Sequence, residues 1–147
     1  MDRGLAVILT AAVGGLIALQ APINSTLGKA VGTWQAATVS FAIGTVLLVA
    51  ITLVAGGGFG DLGESRHVAW YYLGGGVLGA AYVTTVLVTV RPLGAGGVTA
   101  ATIAGQLSMA VAVDQVGALG VERQPVTAAK VAGIVLLAAG TYLVVRE

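Results

Sequence analysis

Long apolar runs, separated by short polar stretches, divide this chain into five segments. Each segment is about 20 residues long, the length of one bilayer crossing. The segments cover about residues 4–29, 33–54, 68–90, 94–116 and 126–145. The pattern therefore predicts an all-α, polytopic membrane protein, with five transmembrane helices in a single transmembrane domain of residues 1–147.

The positions of the charged residues support this segmentation. Every charged side chain except Asp114 and Lys130 lies in a polar stretch or at a predicted helix end. An ionised group in mid-membrane costs at least a few kcal/mol, so charges mark the water boundaries. The clearest loop, residues 56–66, is rich in Gly but lacks the Gly-Lys-Ser/Thr of a phosphate-binding loop.

Composition excludes most other classes of protein. Hydrophobic residues make up 57% of the chain and charged residues 9%, against about 25% charged in soluble domains. The chain has no Cys, and His67 has no partner at metal-ligand spacing. We therefore expect no enzyme, no cofactor, no metal site and no nucleic-acid partner. Arg3 and the following apolar run resemble a signal peptide, but no cleavage site follows, which favours a retained first helix.

Local signals set the expected helix ends. Thr33 suits an N-cap, and Pro125 suits a helix start. Trp70 and the two tyrosines after it suit the membrane interface. Pro22 leaves two alternatives: a kink in the first helix, or a membrane helix that ends at Gln20 and is followed by a short surface helix.

Lys and Arg residues are almost evenly divided between the two sides of the membrane. Five crossings put the termini on opposite sides, with four of these residues on one side and three on the other. Orientation normally follows an imbalance of such charges. One interpretation is that a loop is misassigned, or that a partner sets the orientation. The other is that copies insert both ways and pair antiparallel, which would recreate the inverted repeats of many transporters.

Asp114 is the one carboxylate inside an apolar run. Desolvation favours the neutral form of a carboxyl group, so Asp114 could act as a proton or cation site. Alternatively, Asp114 and Lys130 lie eight residues either side of Glu122, at the turn between helices 4 and 5. They should then lie at similar depth and could form a structural pair.

Amide side chains in the membrane are the other candidates for function. Gln106 lies beside Gly105 at the centre of helix 4 and could line a cavity or bond to another helix. Gln20 and Asn24 share one face of helix 1 on either side of Pro22. They could form part of a binding site or satisfy the broken helix.

Tyr82 and Ser40 are further candidates for lining the cavity. Thr84 and Thr85, next to Tyr82, could also line a path, but Thr commonly bonds to its own helix. Small residues recur at four-residue spacing and are expected to serve helix packing, in a tight bundle or at a dimer face. These positions are Gly75 and Gly79, Ala101 and Gly105, and Ala129 and Gly133.

Several segments together resemble the YdcZ-like family of the drug/metabolite transporter superfamily. They begin at Leu19-Gln20-Ala-Pro-Ile-Asn24, Val39-Ser40-Phe41, Gly74-Gly75-Gly76, Arg91-Pro92-Leu-Gly94 and Ala104-Gly105-Gln106-Leu, the last followed by Asp114-Gln-Val-Gly117. The resemblance implies a half-sized unit of five helices, which forms an antiparallel dimer with ten helices in a bacterial inner membrane. It also implies that Gln20, Asn24, Gln106 and Asp114 are signature polar residues.

Three hypotheses follow from the sequence. The first is a secondary transporter that exports a small metabolite or drug-like molecule by alternating access. Its partners would be membrane lipid, a second copy of the chain and a small-molecule substrate. Helices 1 to 4 would line the cavity, and helix 5 would mainly pack. The alternatives are a passive ion channel and a non-transporting membrane subunit.

Overall fold

The computed structural model describes residues 2–146, and all regular structure within that range is helical. The α-helices are α1 (Arg3–Val31), α2 (Thr33–Val54), α3 (Gly75–Val116) and α4 (Ala128–Val145). Two 3-10 helices, Gly60–His67 and Trp70–Gly74, lie between α2 and α3. The predicted all-α class is confirmed.

Long apolar helices confirm the membrane character of the chain. Across the described range, four helical stretches are long and apolar enough to cross a bilayer. They are Arg3–Val31, Thr33–Val54, Trp70–Val116 and Ala128–Val145. The sequence predicted five such segments, and the third and fourth of them fall within one helical stretch here.

A break at Gly94 divides α3. Gly94 has φ 68° and ψ 168° inside this 42-residue helix, a backbone conformation that glycine adopts without steric cost. Pro92, two residues earlier, has no N–H to donate to the preceding turn. The stretches on either side, residues 75–93 and 95–116, are each about as long as one bilayer crossing. The break lies where the sequence predicted a boundary between two helices.

Helix α1 continues through Pro22 to Val31. The membrane helix therefore does not end at Gln20, which was one of the two alternatives. Gly32 separates α1 from α2 with φ 98°, and it takes the N-cap position that the sequence predicted for Thr33. Thr33 is instead the first residue of α2. A Cβ at Gly32 would also collide with the Gln35 side chain.

The start of α3 lies later than predicted. The α-helix begins at Gly75, whereas the sequence suggested a start near Val68. Val68 and Ala69 are extended, and the short 3-10 helices flank them. Part of the predicted loop, Gly60–His67, is thus helical. Likewise, α4 begins at Ala128, because Thr127 caps it by accepting a hydrogen bond from the Lys130 N–H (3.3 Å).

Contacts divide the chain into two compact units. Residues 21–88 form one unit, whose core consists of small and branched side chains from α2 and α3. These are Ala36, Ala37, Val83 and Leu87, with Leu27 and Tyr82 packed against them. Gly28 lies against the core, because a Cβ there would be 3.4 Å from Leu87 and 3.7 Å from Ala36. Small residues thus let these helices approach closely.

The other unit comprises residues 2–20 and 89–146. In it, the end of α4 packs against α3 just after the break. Thr141 donates to the Ala100 carbonyl (3.1 Å) and also to its own helix at Leu137 (2.8 Å). A Cβ at Gly97 would be 3.3 Å from Val145, so the glycine permits this close approach.

Candidate functional site

Asn24 and Ser40 form a hydrogen bond inside the unit of residues 21–88. Asn24 is buried, with 6% of its surface exposed, and its Nδ2 donates to Ser40 Oγ over 3.1 Å. The bond joins α1 to α2. An unpaired amide in the apolar interior would be costly, so Ser40 stabilises the position of Asn24. Both were candidates for lining a cavity, and the structure brings them together.

Gln20 and Gln106 have a different environment. Both side chains are exposed, and neither has a hydrogen-bond partner in the part of the chain that the structure describes. Each lies within a helix that is apolar enough to cross a bilayer. An amide facing acyl chains would lose its hydrogen bonds to water without replacement. These two side chains therefore need water or another protein chain beside them.

Tyr82, Thr84 and Thr85 of α3 differ in their contacts. Tyr82 packs against the core of residues 21–88. The hydroxyl of Thr85 donates to the Ala81 carbonyl of its own helix (2.8 Å), as threonines in membrane helices commonly do. Thr84 is half-buried, and within residues 2–146 its hydroxyl has no hydrogen-bond partner.

Asp114 and Lys130 form an ion pair, which was one of the two alternatives for Asp114. Lys130 Nζ lies 3.8 Å from Asp114 Oδ2, and the two side chains are 28% and 29% exposed. The pair links the end of α3 to the first turn of α4, across the connection of residues 117–127. The ion pair therefore connects the two helices of this hairpin.

Two residues that sequence analysis missed strengthen the same hairpin. Gln115 Oε1 accepts from the Val126 N–H (2.7 Å), and Arg123 Nε donates to the Gln115 carbonyl (2.9 Å). The backbone carbonyl of Asp114 also accepts from the Gln124 N–H (2.8 Å). A basic residue shortly after a helix often satisfies its last carbonyls, and Arg123 could have been found by that signal.

A groove of about 410 Å³ runs between α2 and the first stretch of α3. Two aromatic, two small and two hydroxyl side chains line it: Trp34, Phe41, Ala37, Ala80, Thr38 and Thr84. Trp34, Thr38 and Phe41 follow one face of α2 at helical spacing. Of these residues, only Thr84 was expected from the sequence to line a path, because hydropathy does not show where two helices leave a gap.

The glycines predicted for packing differ in their surroundings. A Cβ at Gly79 would lie 3.6 Å from Phe41. At Gly75, Gly105 and Gly133, a Cβ would have no neighbour within 4 Å among the described residues. Their part in helix packing, within the bundle or at a dimer face, therefore stays a prediction.

Comparison with known proteins identifies the family. A sequence model described as "Putative inner membrane exporter, YdcZ", from the drug/metabolite transporters, matches residues 5–143. The chain belongs to the YdcZ family. This confirms the resemblance seen in the sequence. No curated protein and no solved structure matches the chain.

Membership of the YdcZ family supports a membrane transport role rather than an enzymatic one. Within residues 2–146, no group of three or more His, Cys, Asp or Glu side chains is placed to hold a metal ion. The polar candidates within the apolar helices of this YdcZ-family chain are amides, hydroxyls and the pair of Asp114 and Lys130. Amides and hydroxyls are groups that can donate and accept hydrogen bonds.

Proposed function

We propose that this protein is a secondary transporter. It exports a small metabolite or drug-like molecule across the bacterial inner membrane by alternating access, as an antiparallel dimer. The family match supports export, and the exposed Gln20 and Gln106 support a site that one chain leaves incomplete.

The exposed amides carry the proposal. Gln20 and Gln106 belong to the same unit of the chain, and both are uncovered within it. A second copy beside them would enclose a hydrated cavity, in which each amide can donate and accept hydrogen bonds with substrate. A purely structural bundle has no need of amides at these positions.

The break at Gly94 supports the antiparallel arrangement. If each stretch of α3 crosses the membrane, the chain has five crossings, and its ends lie on opposite sides. Lys and Arg then number four on one side and three on the other, so neither orientation is strongly favoured. Inverted copies would reproduce the symmetry on which many transporters depend.

The other polar residues have supporting roles in this proposal. The bond between Asn24 and Ser40 holds α1 against α2, so that the helices move together. The pair of Asp114 and Lys130 holds the hairpin of α3 and α4. Proton coupling at Asp114 is the second candidate for this pair, because the carboxylate is only partly covered within the chain.

Transport can be tested in cells that produce the protein with Gln106→Leu, or with Val135→Leu as a matched control. Val135 is an exposed apolar residue of α4, so this change alters size but not polarity. The measurement is the intracellular level of a panel of small molecules, by mass spectrometry, with and without a proton gradient.

We expect saturable, gradient-dependent efflux of at least one compound with the wild type and the control, and a loss of at least tenfold with Gln106→Leu. Flux that rises linearly with concentration and ignores the gradient would instead indicate a passive channel. Equal levels in all strains would indicate a non-transporting subunit. Either result would overturn the proposal.

A further inference from the structure

The groove between α2 and α3 has the size of a small-molecule site. Its volume of about 410 Å³ lies within the range of about 300–1,000 Å³ that ligand pockets occupy. It lies entirely within the unit of residues 21–88, so its lining does not depend on the other unit. Trp34, the second residue of α2, lies at one end of that helix.

The lining of the groove is aromatic and uncharged. Trp34 and Phe41 are 69% and 37% exposed, and their rings are available for stacking. Ala37 and Ala80 leave space between them. The six lining residues include no ionisable side chain. A charged solute would lose its hydration in this groove without gaining a counter-charge, and for a cation, contact with the two rings would offset only part of that loss.

The hydroxyl groups in the groove differ in their availability. Thr38 Oγ1 donates to the Trp34 carbonyl over 3.0 Å, so its proton is already used within the helix. Thr84 Oγ1 has no hydrogen-bond partner in the described range. An unpaired hydroxyl in an apolar setting is unfavourable, and a ligand with one polar group would satisfy it. A lipid acyl chain has no such group.

We propose that this groove binds an uncharged aromatic solute, whose ring contacts Trp34 and Phe41 and whose single polar group bonds to Thr84. As a statement about the exported substrate class, this rests on the transport function proposed above. Binding of this solute in the groove does not depend on that function, because binding can be measured without transport.

The two tryptophans of the chain make the test direct. Trp70→Phe leaves Trp34 as the single tryptophan, and Trp34→Phe leaves Trp70 as a control. The purified full chain in lipid nanodiscs is titrated with benzyl alcohol, benzoate and benzylamine while tryptophan emission is recorded. These probes share one ring and are neutral, anionic and cationic at pH 7.

We expect a saturable change in Trp34 emission with benzyl alcohol, and at least tenfold weaker responses to the two charged probes. In the control with Trp70 alone, the emission should change only linearly, as the probe partitions into the lipid. Thr84→Val should weaken benzyl alcohol binding about fivefold. Thr85→Val is the matched control and should leave binding unchanged, because Thr85 bonds to its own helix.

Three results would overturn the inference. Equal saturable responses to all three probes would remove the selectivity for uncharged solutes. A Thr84→Val response identical to that of Thr85→Val would remove the role of the hydroxyl. A linear response that is the same with either tryptophan would indicate that lipid fills the groove.

Efflux data separate this inference from the transport proposal. A saturable Trp34 response without efflux of any compound would support ligand binding in the groove and contradict the transport proposal. Saturable efflux without a Trp34 response would support the transport proposal and contradict ligand binding in the groove.

Discussion

Asn24 of α1 donates a 3.1 Å hydrogen bond to the hydroxyl of Ser40 in α2, at a buried position. The bond satisfies an amide that would otherwise lack a partner within an apolar bundle. It also fixes the register between two helices whose other contacts are mainly apolar. Asn24 therefore contributes to the packing of α1 against α2, and its contact with a substrate stays a prediction.

Removing the Ser40 hydroxyl should destabilise the protein, because the Asn24 amide is then buried without a partner. We expect Ser40→Ala to lower the free energy of unfolding by about 1 kcal/mol, within the range for hydrogen bonds between membrane helices. Thermal unfolding in detergent measures the change. The double variant with Ser40→Ala and Asn24→Leu should lose less stability than the sum of the two single losses. Additive losses would contradict the role of the hydrogen bond.

The turn at Gly32 depends on its backbone conformation. Gly32→Ala should lower the free energy of unfolding by at least about 1 kcal/mol, because a side chain at φ 98° is strained; the flexible end of Gln35 would only have to move aside. Gly14→Ala is the matched control, because Gly14 lies within α1 and a Cβ there has no neighbour within 4 Å in the described range. Thermal unfolding of both variants is the measurement, and equal stability would contradict the account of this turn.

The Asp114–Lys130 pair can be tested by exchanging its charges. If the pair fastens the hairpin, Asp114→Lys should lower stability, and adding Lys130→Asp should recover most of the loss. The effect should be modest, about 1 kcal/mol or less, because both groups are over a quarter exposed.

Transport separates the two roles of this pair. Asp114→Asn should preserve gradient-dependent efflux if the pair is only structural. Loss of gradient dependence at normal protein levels would instead assign proton coupling to Asp114.

Much of the fold follows from the one-dimensional pattern. The apolar runs, the break near Gly94 and the pairing of Asp114 with Lys130 depend on hydropathy, glycine chemistry and spacing across one turn. All of these can be read from the sequence. The family could also be identified, because its glycines and polar residues recur in order along nearly the whole chain.

Contacts between helices could not be predicted in the same way. The Asn24–Ser40 bond and the groove beside Trp34 depend on the rotation and depth of one helix against another, which hydropathy does not encode. The 3-10 helix Gly60–His67 was missed because residues 56–66 look like an ordinary loop. The 3-10 helix Trp70–Gly74 was missed because it lies in the apolar run that predicted the third α-helix. Whether Gly105 packs within one chain or against a second copy could not be predicted, because a small-residue stripe does not show which chain it packs against.

The central claim is that the mid-membrane amides face water or protein, and the absence of cysteine makes it directly testable. Gln106→Cys and Val135→Cys each introduce a single thiol, and the rate of labelling by a membrane-impermeant maleimide is measured in intact membranes. We predict rapid labelling at position 106, slowed by a second copy or substrate that covers it, and no labelling at position 135. Equal lack of labelling at both positions, with no disulfide formed between copies at position 106, would place Gln106 against lipid and contradict the account.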